Sequence, residues 1–438
     1  MEFTPIRISV IGCGYLGVTH AVSMAELGFE VIGVEVSPER LGELRAGRLP
    51  LYEPGLQPVL TRQVDEGRLS FTDSIEDAAE FASVHFICVG TPQSADGLAA
   101  DTSAVFETAK AIAASTEEKT LVIGKSTVPV GTASQLAAEL AEAGADNVAL
   151  AWNPEFLREG HAMEDTLSPD RLVFGVRSRW AEGRLREVYA SLINDGVPVV
   201  VTDFETAELS KVSANAFLAT KVSFINAVAD LCQATGADVV ELADALGHDA
   251  RIGRRYLHAG VGFGGGCLPK DIRALRHRAG DFGVDSLQTL LGVVEEINDD
   301  RHHQVVRRAV ELVPTARSRV TVLGAAFKPG TDDVRNSPSL WVACALAAQG
   351  LDVRVYDPRV PPPADDDGMG LQWTSSLEEG CAGSDLLIHL TDWPEFREID
   401  PNSIKPLVDS MVLLDARNLL DRQLWREAGW EVHSMGRP

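Results

Sequence analysis

At 438 residues with 45% apolar composition, the chain is long enough for two or three domains, each with its own core. A formal net charge of −25 argues against nucleic acid as a partner, because a phosphate backbone needs a basic face. No basic leader with a small-residue cleavage site opens the chain and no apolar run approaches membrane-spanning length, so a cytoplasmic protein without a membrane partner is expected.

Residues 6–11 read as a short strand that runs into Gly12-Cys13-Gly14-Tyr15-Leu16-Gly17, with helical patterning over 18–27. Glycines in this pattern, between a strand and a helix, allow a tight turn and let a pyrophosphate rest on the helix N-terminus. A second strand over 30–34 ends in Glu35, where an acid bonds the adenosine ribose and repels a 2′-phosphate. NAD is therefore favoured over NADP, with Arg40 as the opposing observation.

Strand signals at 84–89, 120–123, 148–150, 172–175 and 197–201 alternate with helical stretches and predict a doubly wound parallel sheet. Three strand ends carry polar clusters on one sheet edge: Val89-Gly90-Thr91-Pro92, Lys125-Ser126-Thr127-Val128-Pro129 and Asn153-Pro154-Glu155-Phe156-Leu157. Each alone is ordinary turn chemistry; three in succession predict a site. Residues 204–236 form a long helix on which Lys211 and Asn215, four apart, share a face. A second long helix over 286–312 is expected beside it, the pair separating two α/β domains and offering a dimer surface.

Between these helices stands Gly262-Phe263-Gly264-Gly265-Gly266-Cys267-Leu268-Pro269-Lys270-Asp271. One reading is a buried free cysteine in a glycine turn. The other is a nucleophile on a flexible run, approached closely by substrate and favoured as thiolate by a nearby cation. The six cysteines, at 13, 88, 232, 267, 344 and 381, lie too scattered for a disulfide framework or a zinc site, so no metal is expected. The last third repeats the opening in altered form. A strand over 319–323 leads to a loop carrying Lys328 and Arg335, then a helix over 339–348 and a strand over 352–356. Basic residues at a helix start suit a phosphate or a uridine-type nucleotide. Residues 360–370 read as a surface loop, and strands over 386–390 and 412–414 complete the sheet, with Arg417 just beyond.

The ordered set GCGYLG, YEPGL, VGTP, STVPVGT, NPEFLREG, ELSKVSANAFLA, RIGRRYLHAGVGFGGGCLPKD and FKPGTDDVRNSP covers nearly the whole chain. It resembles the nucleotide-sugar 6-dehydrogenases of the UDP-glucose/GDP-mannose family, most closely the UDP-glucose branch. The resemblance implies an α/β fold of two Rossmann-like doubly wound domains joined by a long central helix and a helical dimerisation region. The expected parts are 1–202 for NAD, 203–313 for dimerisation and the cysteine loop, and 314–438 for UDP. It further implies oxidation of the UDP-glucose C6 alcohol to the carboxylate with two NAD reduced, in a homodimer or higher homo-oligomer.

Position by position, the resemblance makes Cys267 the nucleophile that captures the aldehyde as a thiohemiacetal, later a thioester. Lys211 and Asn215 match the pair that stabilises charge at C6. Asp271 and Thr127 match residues that orient water and assist proton removal, and Glu155 matches one that hydrolyses the thioester. The division of acid and base roles among Lys211, Asp271 and Glu155 stays open. For the sugar nucleotide the matching positions are Glu155, Phe156, Leu157, Arg158, Lys211, Asn215, Tyr256, Phe263, Gly264, Lys328 and Arg417, with Arg251 contributed across a dimer. For NAD they are Gly12, Gly14, Tyr15, Leu16, Gly17, Glu35, Arg40, Thr91, Thr127 and Arg335.

Two departures stand out: Gly266 takes the place usually held by Ser, and Glu35 stands where Asp is commoner. The alternatives are a GDP-mannose 6-dehydrogenase, a UDP-N-acetyl-hexosamine dehydrogenase, a two-electron hydroxyacid dehydrogenase and a non-catalytic sensor of NAD or nucleotide sugar. The stretch from Arg251 to Cys267 favours the UDP-glucose branch over GDP-mannose, Leu268 to Asp271 depart from the N-acetyl-hexosamine branch, and Cys267, Lys211, Asn215 and Asp271 together argue against the last two.

Overall fold

The structure, a computed structural model, describes residues 6–94, 97, 99–363 and 368–438. The first five residues of the N-terminal reading and the middle of the loop read over 360–370 lie outside the described residues. The chain divides into two compact units, Met1–Ala214 with Arg273–Phe282, and Asn215–Ile272 with Gly283–Pro438.

The first unit is built on eight strands: β1 Arg7–Ile11, β2 Glu30–Val34, β3 Leu69–Thr72, β4 Val84–Ile87, β5 Thr120–Gly124, β6 Val148–Trp152, β7 Leu172–Val176 and β8 Val199–Thr202. Their order is β3-β2-β1-β4-β5-β6-β7-β8. Alternate residues of the central strands feed two separate apolar clusters: Phe86 and Ile123 enter one, Ile87 and Val122 the other. Burial on both faces explains why these strands read as continuous apolar runs. The expected all-parallel sheet needs one correction. Strands β1 to β6 are parallel, but β7 pairs antiparallel with β6, and β8 follows β7 in parallel. The three polar strand ends after β4, β5 and β6 still share one edge, because the reversal comes after them.

The second unit carries β9 Arg319–Leu323, β10 Asp352–Tyr356, β11 Gln372–Trp373, β12 Leu386–His389, β13 Val412–Asp415 and β14 Glu431–Ser434. All pair in parallel in the order β11-β10-β9-β12-β13-β14, the doubly wound order of the first six strands repeated. Six helices position the site residues: α1 Tyr15–Glu26, α2 Thr132–Glu142, α3 Phe204–Thr235, α4 Leu268–Asp281, α5 Asp285–Leu312 and α6 Pro338–Ala348. Helix α4 is absent from the sequence reading, although Pro269 and Asp271 in its first turn and Arg278 in its last are ordinary helix signals.

Among the described residues, α3 alone is long and apolar enough to cross a membrane by length and composition, which the sequence reading did not register. Buried core helices pass the same test. Helix α3 buries Glu208, Lys211, Asn215 and Asn226, and each has a polar partner within the protein.

Candidate active site

In the first unit the glycine turn has the shape a pyrophosphate needs. Gly12 has φ +90°, and a Cβ there would lie 2.8 Å from the Val89 backbone; a Cβ at Gly17 would lie 1.8 Å from the Gly12 carbonyl oxygen. Gly14, at the N-cap of α1, faces open space and no side chain caps the helix, so its first N–H groups are available to an anion. Glu35 is buried just past β2 and accepts from Ser37 N at 2.9 Å, while Arg40, five residues after Glu35, is exposed. These residues fit a dinucleotide: an open helix N-terminus for its phosphates and a carboxylate at the ribose position.

Tyr15, expected at the cofactor, turns its hydroxyl onto the carboxylate of buried Glu53, and burial followed by this hydrogen bond raises its pKa. Glu53 also accepts from Gly160 N and Ala162 N, both at 2.7 Å. The YEPGL motif thus ties the glycine turn to the loop after β6, a role for Glu53 that the sequence reading missed. Leu16 packs on the core below.

At the next strand ends, Thr91 donates to the Thr127 carbonyl at 2.8 Å. Glu155 forms a largely buried ion pair with Lys211, Oε1 to Nζ 2.7 Å, and its other oxygen accepts from Leu157 N at 2.7 Å. The Phe156 ring lies beneath the Arg171 guanidinium at 3.7 Å. Arg158, expected at substrate, is paired with Asp165 at 2.6 Å.

In the second unit Cys267 is exposed and immediately precedes α4, its carbonyl accepting from Asp271 N at 2.9 Å. A thiol at a helix N-terminus is biased toward thiolate. The buried cysteines differ: burial pushes Cys88 and Cys381 up to about 12 and Cys13 well above the usual range. Asp271 is buried, accepts from Asn215 Nδ2 at 2.7 Å and pairs with Lys270 at 3.2 Å.

The glycine run is closely packed. A Cβ at Gly264 would lie 2.2 Å from the Asn336 carbonyl oxygen, one at Gly265 2.7 Å from the Phe327 ring, and one at Gly266 2.8 Å from the Arg335 guanidinium. The missing side chain at position 266 is therefore filled by Arg335, which Asp333 holds in a two-pronged grip with a shortest contact of 2.6 Å. Helix α5 fastens the other end of the run. Asn298 accepts from Phe263 N at 2.8 Å and donates to its carbonyl at 3.1 Å, and Arg301 donates to the Gly260 carbonyl at 2.8 Å. Arg417, just past β13, is half-buried, and desolvation lowers it to about 10. It reaches the carbonyls of Leu390, Gly262 and Phe327. Lys328 lies 5.5 Å from the Phe327 ring. Tyr256 holds φ +65°, a strained value for a residue with a side chain. Arg251 stands apart, braced by Asp249 with its side chain 89% exposed. Among the described residues no cluster of His, Cys, Asp and Glu could hold a metal.

Three models of the UDP-glucose/GDP-mannose dehydrogenase family match in succession: the NAD binding domain over residues 6–193, the central domain over 205–300 and the UDP binding domain over 321–422. The UDP-glucose 6-dehydrogenase of Rhizobium meliloti is 39% identical over 99% of this chain and 100% of its own length. The UDP-glucose 6-dehydrogenase TuaD of Bacillus subtilis is 38% identical over 99% of this chain and 93% of its own. Among solved structures, a UDP-glucose dehydrogenase from Pyrobaculum islandicum superposes with a TM-score of 0.88 at 35% identity, covering 100% of this chain and 99% of that one. The chain belongs to the UDP-glucose/GDP-mannose dehydrogenase family of NAD-dependent oxidoreductases.

Proposed function

We propose that the enzyme oxidises the C6 alcohol of UDP-glucose to the carboxylate of UDP-glucuronate, reducing two NAD per substrate. The observation that carries this is Cys267, an exposed thiol at a helix N-terminus, with Asp271 one turn on and hydrogen-bonded to Asn215. When bound, NAD accepts the hydride that leaves C6 in each oxidation. The first oxidation gives an aldehyde. The Cys267 thiolate adds to its carbon, forming a C–S bond, and the oxygen takes up a proton to complete the thiohemiacetal. Loss of a second hydride and of that proton gives the thioester, and water cleaves the C–S bond to release carboxylate and regenerate the thiol.

Lys211 and Asn215 stabilise charge on the C6 oxygen. Thr127 and Asp271 orient water, and Glu155 receives the proton from the attacking water, with the Lys211 ammonium 2.7 Å away to hold its charge. Phe156, Leu157, Arg158, Tyr256, Phe263, Gly264, Lys328 and Arg417 line the sugar nucleotide, and Arg335 joins Gly12, Gly14, Tyr15, Leu16, Gly17, Glu35, Arg40, Thr91 and Thr127 at NAD. Residues 1–202, 203–313 and 314–438 serve as NAD, dimerisation and UDP parts. Dimerisation is supported by Phe217, Phe224 and Leu231, exposed at heptad spacing on α3, and by Leu290 and Val293, exposed on α5 beside it. The two helices are joined by Ser223 donating to the Val294 carbonyl at 2.8 Å. The freely exposed Arg251 suits a site across that dimer. A cytoplasmic location follows from two charged nucleotide ligands that do not cross membranes.

The test is NADH formed per mole of UDP-glucose, with GDP-mannose assayed in parallel. A ratio of about two, with UDP-glucose preferred, is expected. A ratio of about one, or activity with GDP-mannose alone, overturns the proposal. Cys267→Ala should bind NAD as the parent does yet form no UDP-glucuronate.

A further inference from the structure

Behind the Glu155–Lys211 pair lies a second lysine that the sequence reading passed over. Lys125 is 7% exposed, directly after β5 and two residues before Thr127. Its ammonium donates to Asn153 Oδ1 at 3.0 Å and to the Tyr189 hydroxyl at 3.5 Å. Tyr189 donates to the same Asn153 oxygen at 2.7 Å, and Asn153 Nδ2 donates to the Val173 carbonyl at 3.0 Å, which fixes the amide with its oxygen toward the lysine. The rings of Phe86 and Tyr189 lie about 6 Å from the ammonium. Both hydrogen-bond partners are neutral. A buried ammonium without a bonded carboxylate is costly to keep, and such groups concentrate where a charge serves chemistry.

The groups facing Lys125 come from every element around it: Cys88 after β4, Glu155 after β6, Lys211 on α3, Tyr189, and His20 on α1. Burial pushes Cys88 up to about 12 and His20 well below its usual value, so both are neutral. Burial likewise lowers Lys125 to about 8; repulsion by Lys211 adds to this, and Glu155 opposes it. The ion pair beside Lys125 is Lys211 with Glu155, at 2.7 Å.

We propose that Lys125 is a positioning residue for the reaction: its ammonium fastens the turn bearing Thr127 to the turn bearing Glu155, and its charge sets the field in which the Glu155–Lys211 pair exchanges protons. This rests on the proposed C6 oxidation. A buried positive charge disfavours a further proton anywhere near it, so it keeps its neighbours competent as bases at lower pH. Removing the charge lets the site take up a proton more readily, and activity then requires a higher pH.

The test is the pH dependence of kcat in the full-length enzyme, with saturating UDP-glucose and NAD, between about pH 6 and pH 10. Lys125→Met and Lys125→Gln should move the rising limb up by about one unit, with the rate recovering at high pH. Asn153→Asp keeps the lysine but sets a carboxylate against it, and should shift the limb in the same direction even if the lysine variants fold poorly. A fall in kcat that is equal at every pH, with the limb unmoved in all three variants, would mean that Lys125 only packs and overturns the inference. Failure of the parent enzyme to reduce NAD with UDP-glucose would instead defeat the underlying reaction.

Discussion

Lys125 also makes a prediction about stability that runs opposite to its effect on activity. In the folded protein it releases its proton near pH 8, against 10.5 for an unperturbed lysine. Between those values the unfolded chain binds a proton that the folded chain has already lost, so this group makes folding easier as pH rises from about 8 to 10.5. Below pH 8 the folded state carries the whole cost; above 10.5 it carries none. The depression corresponds to roughly 3 kcal/mol. Lys125→Met removes the charge at similar volume and flexibility, and forfeits hydrogen bonding to Asn153 and Tyr189 worth about 1 kcal/mol. At pH 7 the variant should be more stable than the parent by roughly 1–3 kcal/mol, with the gap closing above about pH 10. Urea unfolding at both pH values measures this. A variant less stable than the parent at pH 7 would show that the ammonium is already well compensated, and the electrostatic argument would fail. Stability gained while activity at neutral pH is lost marks a charge retained for function.

The glycine run gives a graded prediction. Gly264→Ala drives a Cβ into the Asn336 carbonyl oxygen at 2.2 Å, which is backbone and cannot yield, so a loss of about 1–3 kcal/mol and a marked fall in kcat are expected. Gly266→Ser meets only the tip of Arg335, whose exposed bridge to Asp333 is worth about 0–1 kcal/mol, so its melting temperature should stay near that of the parent. Thermal melts of the two variants decide the matter, and a reversed order would refute the packing described for this loop. Phe224→Glu places a charge in the exposed heptad stripe and should convert a dimer to monomer in light scattering; an unchanged mass would move the interface elsewhere.

Most of the fold was legible because the central strands bury both faces and so announce themselves as unbroken apolar runs. What escaped was short or locally ambiguous: β3 and β14 have four residues each, β11 has two, and the reversal at β7 leaves no mark in a run that is apolar in either direction. Helix α4 carried readable signals, but the glycines before it drew them into a supposed flexible loop. Lys125 was visible only as one residue of a polar strand end. Its meaning depends on Asn153 and Tyr189, which lie 28 and 64 residues away and meet it only once the sheet has formed.

The same kind of distance explains the departure at Gly266. Read locally, a glycine before the nucleophile loosens the backbone and removes a hydroxyl. In the fold, the three consecutive glycines each lie against a different group of the loop after β9: a carbonyl oxygen at Gly264, an aromatic ring at Gly265 and, at Gly266, a guanidinium that can move aside. Glycine here serves close packing, and conformational freedom is lost. With Asn298 bonded to both backbone groups of Phe263, the run is held on two sides and leads to Cys267 at the start of α4. In the proposed reaction, a nucleophile that meets an aldehyde between two hydride transfers would gain from such holding, because a positioned sulfur forms the adduct without first searching for its geometry.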